Sequence, residues 1–159
     1  MLQRYLLGVS FAFALYLSEA AVSAQEKEVD LPKLPTGAGK LDKDAAKTFT
    51  TAKSGLQYRV LRQGKGAKPT ARDKVKVNYE GWLDGGKVFD SSYKRGEPIS
   101  FPLSGVIPGW TEGMQLVGEG GMIELQIPGK LAYGERPPPG AGIPPDATLH
   151  FIVELLKVN

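Results

Sequence analysis

The chain contains no cysteine and a single histidine, His150, among its 159 residues. Without Cys there is no disulfide framework, no thiol nucleophile and no cysteine-ligated metal site, and stability must come from packing alone. One His leaves no Ser-His or Cys-His pair to activate an attacking group. Charge of one sign is also scarce. Lys and Arg exceed Asp and Glu by only three, scattered among acids, which is no nucleic-acid footprint. Long apolar runs are lacking too. The longest, Tyr5 to Leu17, covers 13 residues, short of the ~20 a membrane helix needs.

That run has another reading. Arg4 precedes it, Glu19 interrupts its end, and Val22-Ser23-Ala24 follows with small residues at the spacing of a cleavage site. These are the parts of a secretory signal peptide in order. The expectation is cleavage near Ala24 and export to a periplasm or the exterior, with an uncleaved N-terminal anchor as the alternative. Residues 25–52 carry Pro32, Pro35, Gly37 and Gly39 and few large apolar side chains. Such a stretch reads as a flexible leader or linker, placing the folded domain at 53–159.

From Ser54 onward the pattern becomes period two. Leu56, Tyr58 and Val60 alternate with Gln57 and Arg59; Val75, Val77, Tyr79, Gly81 and Leu83 alternate with Lys76, Asn78, Glu80 and Trp82. Asp84-Gly85-Gly86 supplies a tight hairpin, and Lys87 to Asp90 starts the return strand. Two more strands are expected at Met122–Ile127 and Thr148–Val158, the last with Leu149, Phe151, Val153 and Leu155 on one face. The one convincing helix starts at Pro108 and places Trp110, Met114 and Val117 on a face. Too short to stand alone, it requires a sheet. The fold class is therefore α+β, a single curved antiparallel sheet wrapped around one short helix.

Tyr79, Phe89, Trp110, Tyr133 and Phe151 are spread along this framework, with Asp90 as a polar centre beside Phe89. The set fits a site that encloses an apolar ligand in aromatic walls and orients it by a few hydrogen bonds. Standing alone, each has a plainer reading: buried aromatics are usually core, and Asp90-Ser91-Ser92 suits a local cap. Phe101 and Trp82 are assigned to that plainer class. His150, on the face opposite Phe151, is expected at the surface or across a strand.

Motifs in register go further. Val77-Asn78-Tyr79-Glu80-Gly81, Val88-Phe89-Asp90-Ser91-Ser92, Val106-Ile107-Pro108-Gly109-Trp110, Ala132-Tyr133-Gly134, Gly142-Ile143-Pro144-Pro145 and Ala147-Thr148-Leu149-His150-Phe151 run in the order of the FKBP-type peptidyl-prolyl isomerases. From about Gly55 to the last residue the chain resembles that family, and most of all its bacterial envelope branch. The resemblance implies an FKBP-like fold and an isomerase of Xaa-Pro bonds with neither cofactor nor metal. Its partners would be proline-containing, unfolded or partly folded exported proteins, and a macrolide inhibitor is a candidate ligand. Residues 25–52 are too short for the helical dimerisation arm of some relatives, so a monomer is expected.

By the same resemblance Trp110 forms the floor under the proline ring. Tyr79, Phe89, Val106, Ile107, Ile143 and Phe151 form the walls, the Ile107 N–H is a ligand contact, and Tyr133 donates its hydroxyl. Asp90 stands at the rim with Arg95 as its partner. The catalytic set is Asp90, Tyr133 and Trp110. Three departures bear on ligand preference: Ile99 replaces a frequent aromatic, Leu103–Val106 is a tighter loop than in some members, and Glu135–Gly142 is a Pro-rich flap without His.

Overall fold

The computed structural model describes residues 28–159. The expected signal peptide and its cleavage site lie outside these described residues. Among the described residues seven antiparallel strands form one sheet. They are β1 (Thr50–Thr51), β2 (Gln57–Arg62), β3 (Lys74–Leu83), β4 (Val88–Ser91), β5 (Ile99–Pro102), β6 (Met122–Ile127) and β7 (Leu149–Val158). The order is β1-β2-β6-β7-β3-β4, and β5 joins the same edge of β3 as β4. β4 pairs with the Glu80–Trp82 end of β3, and β5 with the Lys74–Val77 end. The gap between them is bridged by α1 (Ser92–Arg95), a single turn.

Alternation on β3 is realised residue by residue: Val75, Val77, Tyr79, Gly81 and Leu83 are all buried on the concave face. α2 (Pro108–Met114) fills that face, its first turn opened by Pro108, whose missing N–H costs nothing there. Val117, expected on the helix face, lies beyond its end yet is fully buried in the same core. The two helix glycines are contact requirements rather than weaknesses. A Cβ at Gly109 would fall 2.4 Å from Ile127 Cγ2, and one at Gly113 would fall 2.7 Å from Leu125 Cδ2. Their bare backbone lets α2 lie directly on β6. β5 follows a run that alternates Ile99 and Phe101 between Pro98 and Pro102, a strand too short to announce itself.

The convex face departs from the expectation that residues 25–52 form a flexible leader. Residues 28–52 are laid along the sheet as a strap. Thr50 and Thr51 pair with Tyr58 and Gln57 as β1, and the N–H groups of Asp42 and Ala46 donate to the carbonyls of Leu61 and Val60. Leu34, Ala38 and Leu41 pack with Trp82 on a second small core of Leu61, Met122 and Ile152. The strap needs no core of its own because it completes one that the sheet already offers. Beneath it Arg59, only 3% exposed, donates through Nε to Glu124 at 2.7 Å and through its other nitrogens to the carbonyls of Val29 (2.9 Å) and Asp30 (2.8 Å). Burial raises the Glu124 carboxyl above its ordinary value, with Arg59 opposing. No helix among the described residues is long and apolar enough to cross a membrane.

Candidate functional site

At the break between β4 and β5 the concave face opens into a cavity of about 690 Å³. Trp110, delivered by the first turn of α2, is its floor and is only 4% exposed. Three rings stand nearly perpendicular or tilted around it. Tyr79 from β3 lies at 5.3 Å between centroids and 87°, Phe151 from β7 at 5.3 Å and 85°, and Phe101 from β5 at 5.7 Å and 84°. Phe89 from β4 meets Phe151 edge-on at 5.6 Å. Such edge-to-face pairs each add about 0.5–1.5 kcal/mol beyond area burial, so the box is rigid. Gly81 makes it feasible: a Cβ there would come within 2.6 Å of Phe151 and 2.7 Å of Phe89. Trp110 Nε1 is buried with no hydrogen-bond partner among the described residues.

Polar groups gather at one side of the mouth. The Tyr79 hydroxyl donates to Asp90 Oδ2, Arg95 Nη1 donates to Asp90 Oδ1, and Arg95 Nη2 donates to the Tyr79 oxygen at 3.0 Å. The three form a closed ring, with the Asp90 side chain 39% exposed toward the opening. Tyr133 stands at the rim, 38% exposed. Val106 and Ile107 form the wall before α2. The Ile107 N–H has no backbone acceptor among the described residues outside helices and strands.

A family model described as FKBP-type peptidyl-prolyl cis-trans isomerase matches residues 65–156. The chain belongs to this FKBP family. It is 44% identical to the FKBP-type peptidyl-prolyl cis-trans isomerase FkpA of Escherichia coli K12 over 96% of its own length and 62% of the relative's. It is 51% identical to the peptidyl-prolyl cis-trans isomerase Mip of Coxiella burnetii over 69% of itself and 47% of that protein. The chain thus spans less than two thirds of these curated relatives. The crystal structure of Escherichia coli FkpA aligns with a TM-score of 0.67 at 54% identity, over 70% of this chain and 51% of that one. A Pseudomonas syringae isomerase structure aligns at 0.64 and 36% identity, over 70% and 80%. The FKBP-like fold expected from the motifs is the fold observed.

Within this FKBP framework the structure brings Tyr79, Phe89, Asp90, Arg95, Val106, Ile107, Trp110, Tyr133 and Phe151 to one cavity. Ile143 is not among the residues that line it. The loop that carries Ile143 is tied at its base, where the Asp146 N–H donates to the Gly134 carbonyl at 2.8 Å, and Ile143 packs against the main core. Phe101, expected as plain core, lines the cavity instead, as does Ile99. The two-residue step from Ile99 to Phe101 was the available signal. Tyr79, expected as an apolar wall, also holds Asp90 by its hydroxyl. His150 and Trp82 stack on the convex face, where His150 Nε2 meets Asp84 at 2.7 Å, away from the cavity.

Electrostatics fix the protonation states. Burial pushes the Asp90 carboxyl up, but the Tyr79 and Arg95 hydrogen bonds and the Arg95 charge outweigh it and hold Asp90 below the usual carboxylate range. The Tyr79 phenol is pushed up to about 12, first by burial and then by its bond to Asp90. Tyr133 is also raised, by burial and by the Asp90 charge. At neutral pH the mouth therefore presents one carboxylate, one guanidinium and two protonated phenols.

Proposed function

We propose that this protein accelerates cis-trans rotation about Xaa-Pro bonds, without covalent intermediate, cofactor or metal. The observation that carries the reading is the aromatic box on Trp110, with a charged Asp90 clamped at its rim. Amide rotation is slow because it breaks resonance, a barrier of about 18–20 kcal/mol. No nucleophile is needed to lower it. In the twisted transition state the amide loses its dipolar character, so a cavity that withholds water from the carbonyl favours the twisted form over the planar one. Proline enters the box on Trp110, between Tyr79, Phe89 and Phe151. Tyr133 and the Ile107 N–H donate to substrate carbonyls, and Asp90 faces the rotating imide.

The mouth is apolar on the Ile99 and Val106 side, which supports a preference for apolar residues before the proline. The signal-like segment at residues 4–24 supports export, with exported proteins in the course of folding as substrates, and the enclosed aromatic box is of a size to admit a macrolide. We take the protein to act as a monomer. The deciding experiment is an NMR exchange or protease-coupled assay on short Xaa-Pro peptides. We expect acceleration, and a loss of at least about tenfold in kcat/KM for Asp90→Leu, equivalent to ~1.4 kcal/mol of transition-state stabilisation. Folded protein that leaves prolyl exchange unchanged would refute the reading. Protection of a proline-free client from aggregation by that same inactive protein would make the groove a binding module.

A further inference from the structure

We propose that Tyr93 is a positioning residue for this site. By donating across β3 to Glu154 of β7, it sets where Arg95, and through Arg95 the Asp90 carboxylate, stands. The proposal rests on the isomerase reading above and names a part of its machinery that lies outside the cavity.

Arg95 belongs to α1, a single turn of four residues. A helix of that length cannot hold itself in place. Its internal closures fix its shape: Ser91 Oγ accepts from the Lys94 N–H at 3.3 Å, and Gly96, with φ of 79°, returns its N–H to the Ser92 and Tyr93 carbonyls. They do not fix its placement on the sheet. The backbone holds its start, because Ser91 ends β4 and pairs with Glu80 of β3; beyond that point two successive side chains tie the turn to the sheet. Ser92, wholly buried, accepts from the Tyr79 N–H at 2.8 Å and donates to Asn78 Oδ1 at 3.1 Å. Tyr93 donates from its hydroxyl to Glu154 Oε2 at 2.8 Å.

Glu154 is suited to be a fixed point. It lies directly opposite Asn78 in the β3–β7 register. It is buried, and its other oxygen takes Arg62 Nη2 at 2.6 Å and the Gly39 N–H of the strap at 3.2 Å. Burial and the bond to Glu154 raise the Tyr93 phenol well above its ordinary value, so it remains a donor. Without Tyr93, the β4 pairing at Ser91 and the Ser92 bonds would hold only the start of the turn, and the end that carries Arg95 could swing. Tyr93 adds a tie further along the turn, and Arg95, two residues on, is aimed at Asp90 and Tyr79. Since Asp90 is oriented by those two donors, a swing of α1 is a displacement of the carboxylate.

The test is a double-mutant cycle of Tyr93→Phe with Arg95→Ala, read by kcat/KM on an Xaa-Pro peptide and by the Arg95 side-chain Nε–H resonance. Tyr93→Phe removes only the hydroxyl. We expect a fall of about three- to tenfold in kcat/KM in the native background and almost none once Arg95 is Ala, because coupled residues fail to add. The Arg95 resonance should shift or broaden in the Tyr93→Phe protein. Glu154→Gln, with a weaker acceptor, should give a smaller loss of the same kind, and serves if Tyr93→Phe does not fold. Native kinetics with an unmoved Arg95 signal would overturn the proposal, as would an equal loss with and without Arg95. If the native protein shows no isomerase activity, the functional reading fails, while the Arg95 resonance still decides whether Tyr93 holds it.

Discussion

A methyl group added at Gly81 would sit 2.6 Å from Cε1 of Phe151 and 2.7 Å from Cζ of Phe89. Overpacking of this kind costs about 1–3 kcal/mol, and here the displaced rings are cavity walls. Gly81→Ala should therefore remain folded, lose stability in urea by that amount, and lose activity by up to about 100-fold through misplaced contacts. Native kcat/KM in Gly81→Ala would mean that those rings do not shape the reacting geometry. Trp110 demands a gentler probe than truncation. At 4% exposure in the centre of the core, replacement by Ala would remove about 3–5 kcal/mol from a total of about 5–15. Trp110→Phe keeps a ring in the core, leaves a smaller void than Ala and so reads the floor's contribution at less cost in stability. The charged ring at the mouth also makes a pH prediction. Asp90 is depressed from 3.8 in the folded state, so its contribution is complete above that value and is lost as the pH falls through the lower folded one. Tyr79 is raised from 10.0 to about 12, so its contribution is complete below pH 10 and lost as the pH rises through about 12. Between about pH 5 and pH 9 turnover should be flat to within about twofold. A bell centred near neutrality would assign the chemistry to another group.

Single elements show where local sequence patterns inform and where they stop. β3 was legible because its burial period matches its side-chain period, so Val75 to Leu83 could be read without knowing any partner strand. The clamped Asp90 followed from Arg95 five residues later once the motifs were in register. The strap was not legible. Arg59, Glu124 and Glu154 look like the polar face of a half-solvated sheet, and their burial depends on pairings such as Arg59 with Glu124, 65 residues apart. Periodicity carries no such information. Phe101 was missed for a related reason: its strand is four residues long and framed by prolines, and only its pairing with Val75 on β3 brings the ring to the cavity. The buried pair offers a test at this scale. Arg59→Met leaves Glu124 unpaired beneath the strap and should cost about 3–5 kcal/mol in denaturant unfolding. The double variant Arg59→Met with Glu124→Leu should recover much of that loss. Additive losses would show that the pair, and the strap carbonyls it serves, contribute little.

At the scale of the whole molecule, β7 is the organising strand. It is the last in sequence but central in space, flanked by β6 along Leu149–Glu154 and by β3 along nearly its full length. It also supplies Phe151 to the cavity and Glu154 to the convex-face network. Deleting residues 149–159 should abolish cooperative unfolding and leave a collapsed chain with exposed β6 and β3 edges, visible by near-UV circular dichroism and dye binding. A cooperative transition in the truncated protein would contradict this. The strap, β2 and β6 can be synthesised in sequence, yet the sheet cannot close before Leu149 arrives. A nascent copy therefore stays open between β6 and β3 until the strand that joins them has been made, and the catalyst proposed to hasten other proteins' maturation is itself slow to become whole.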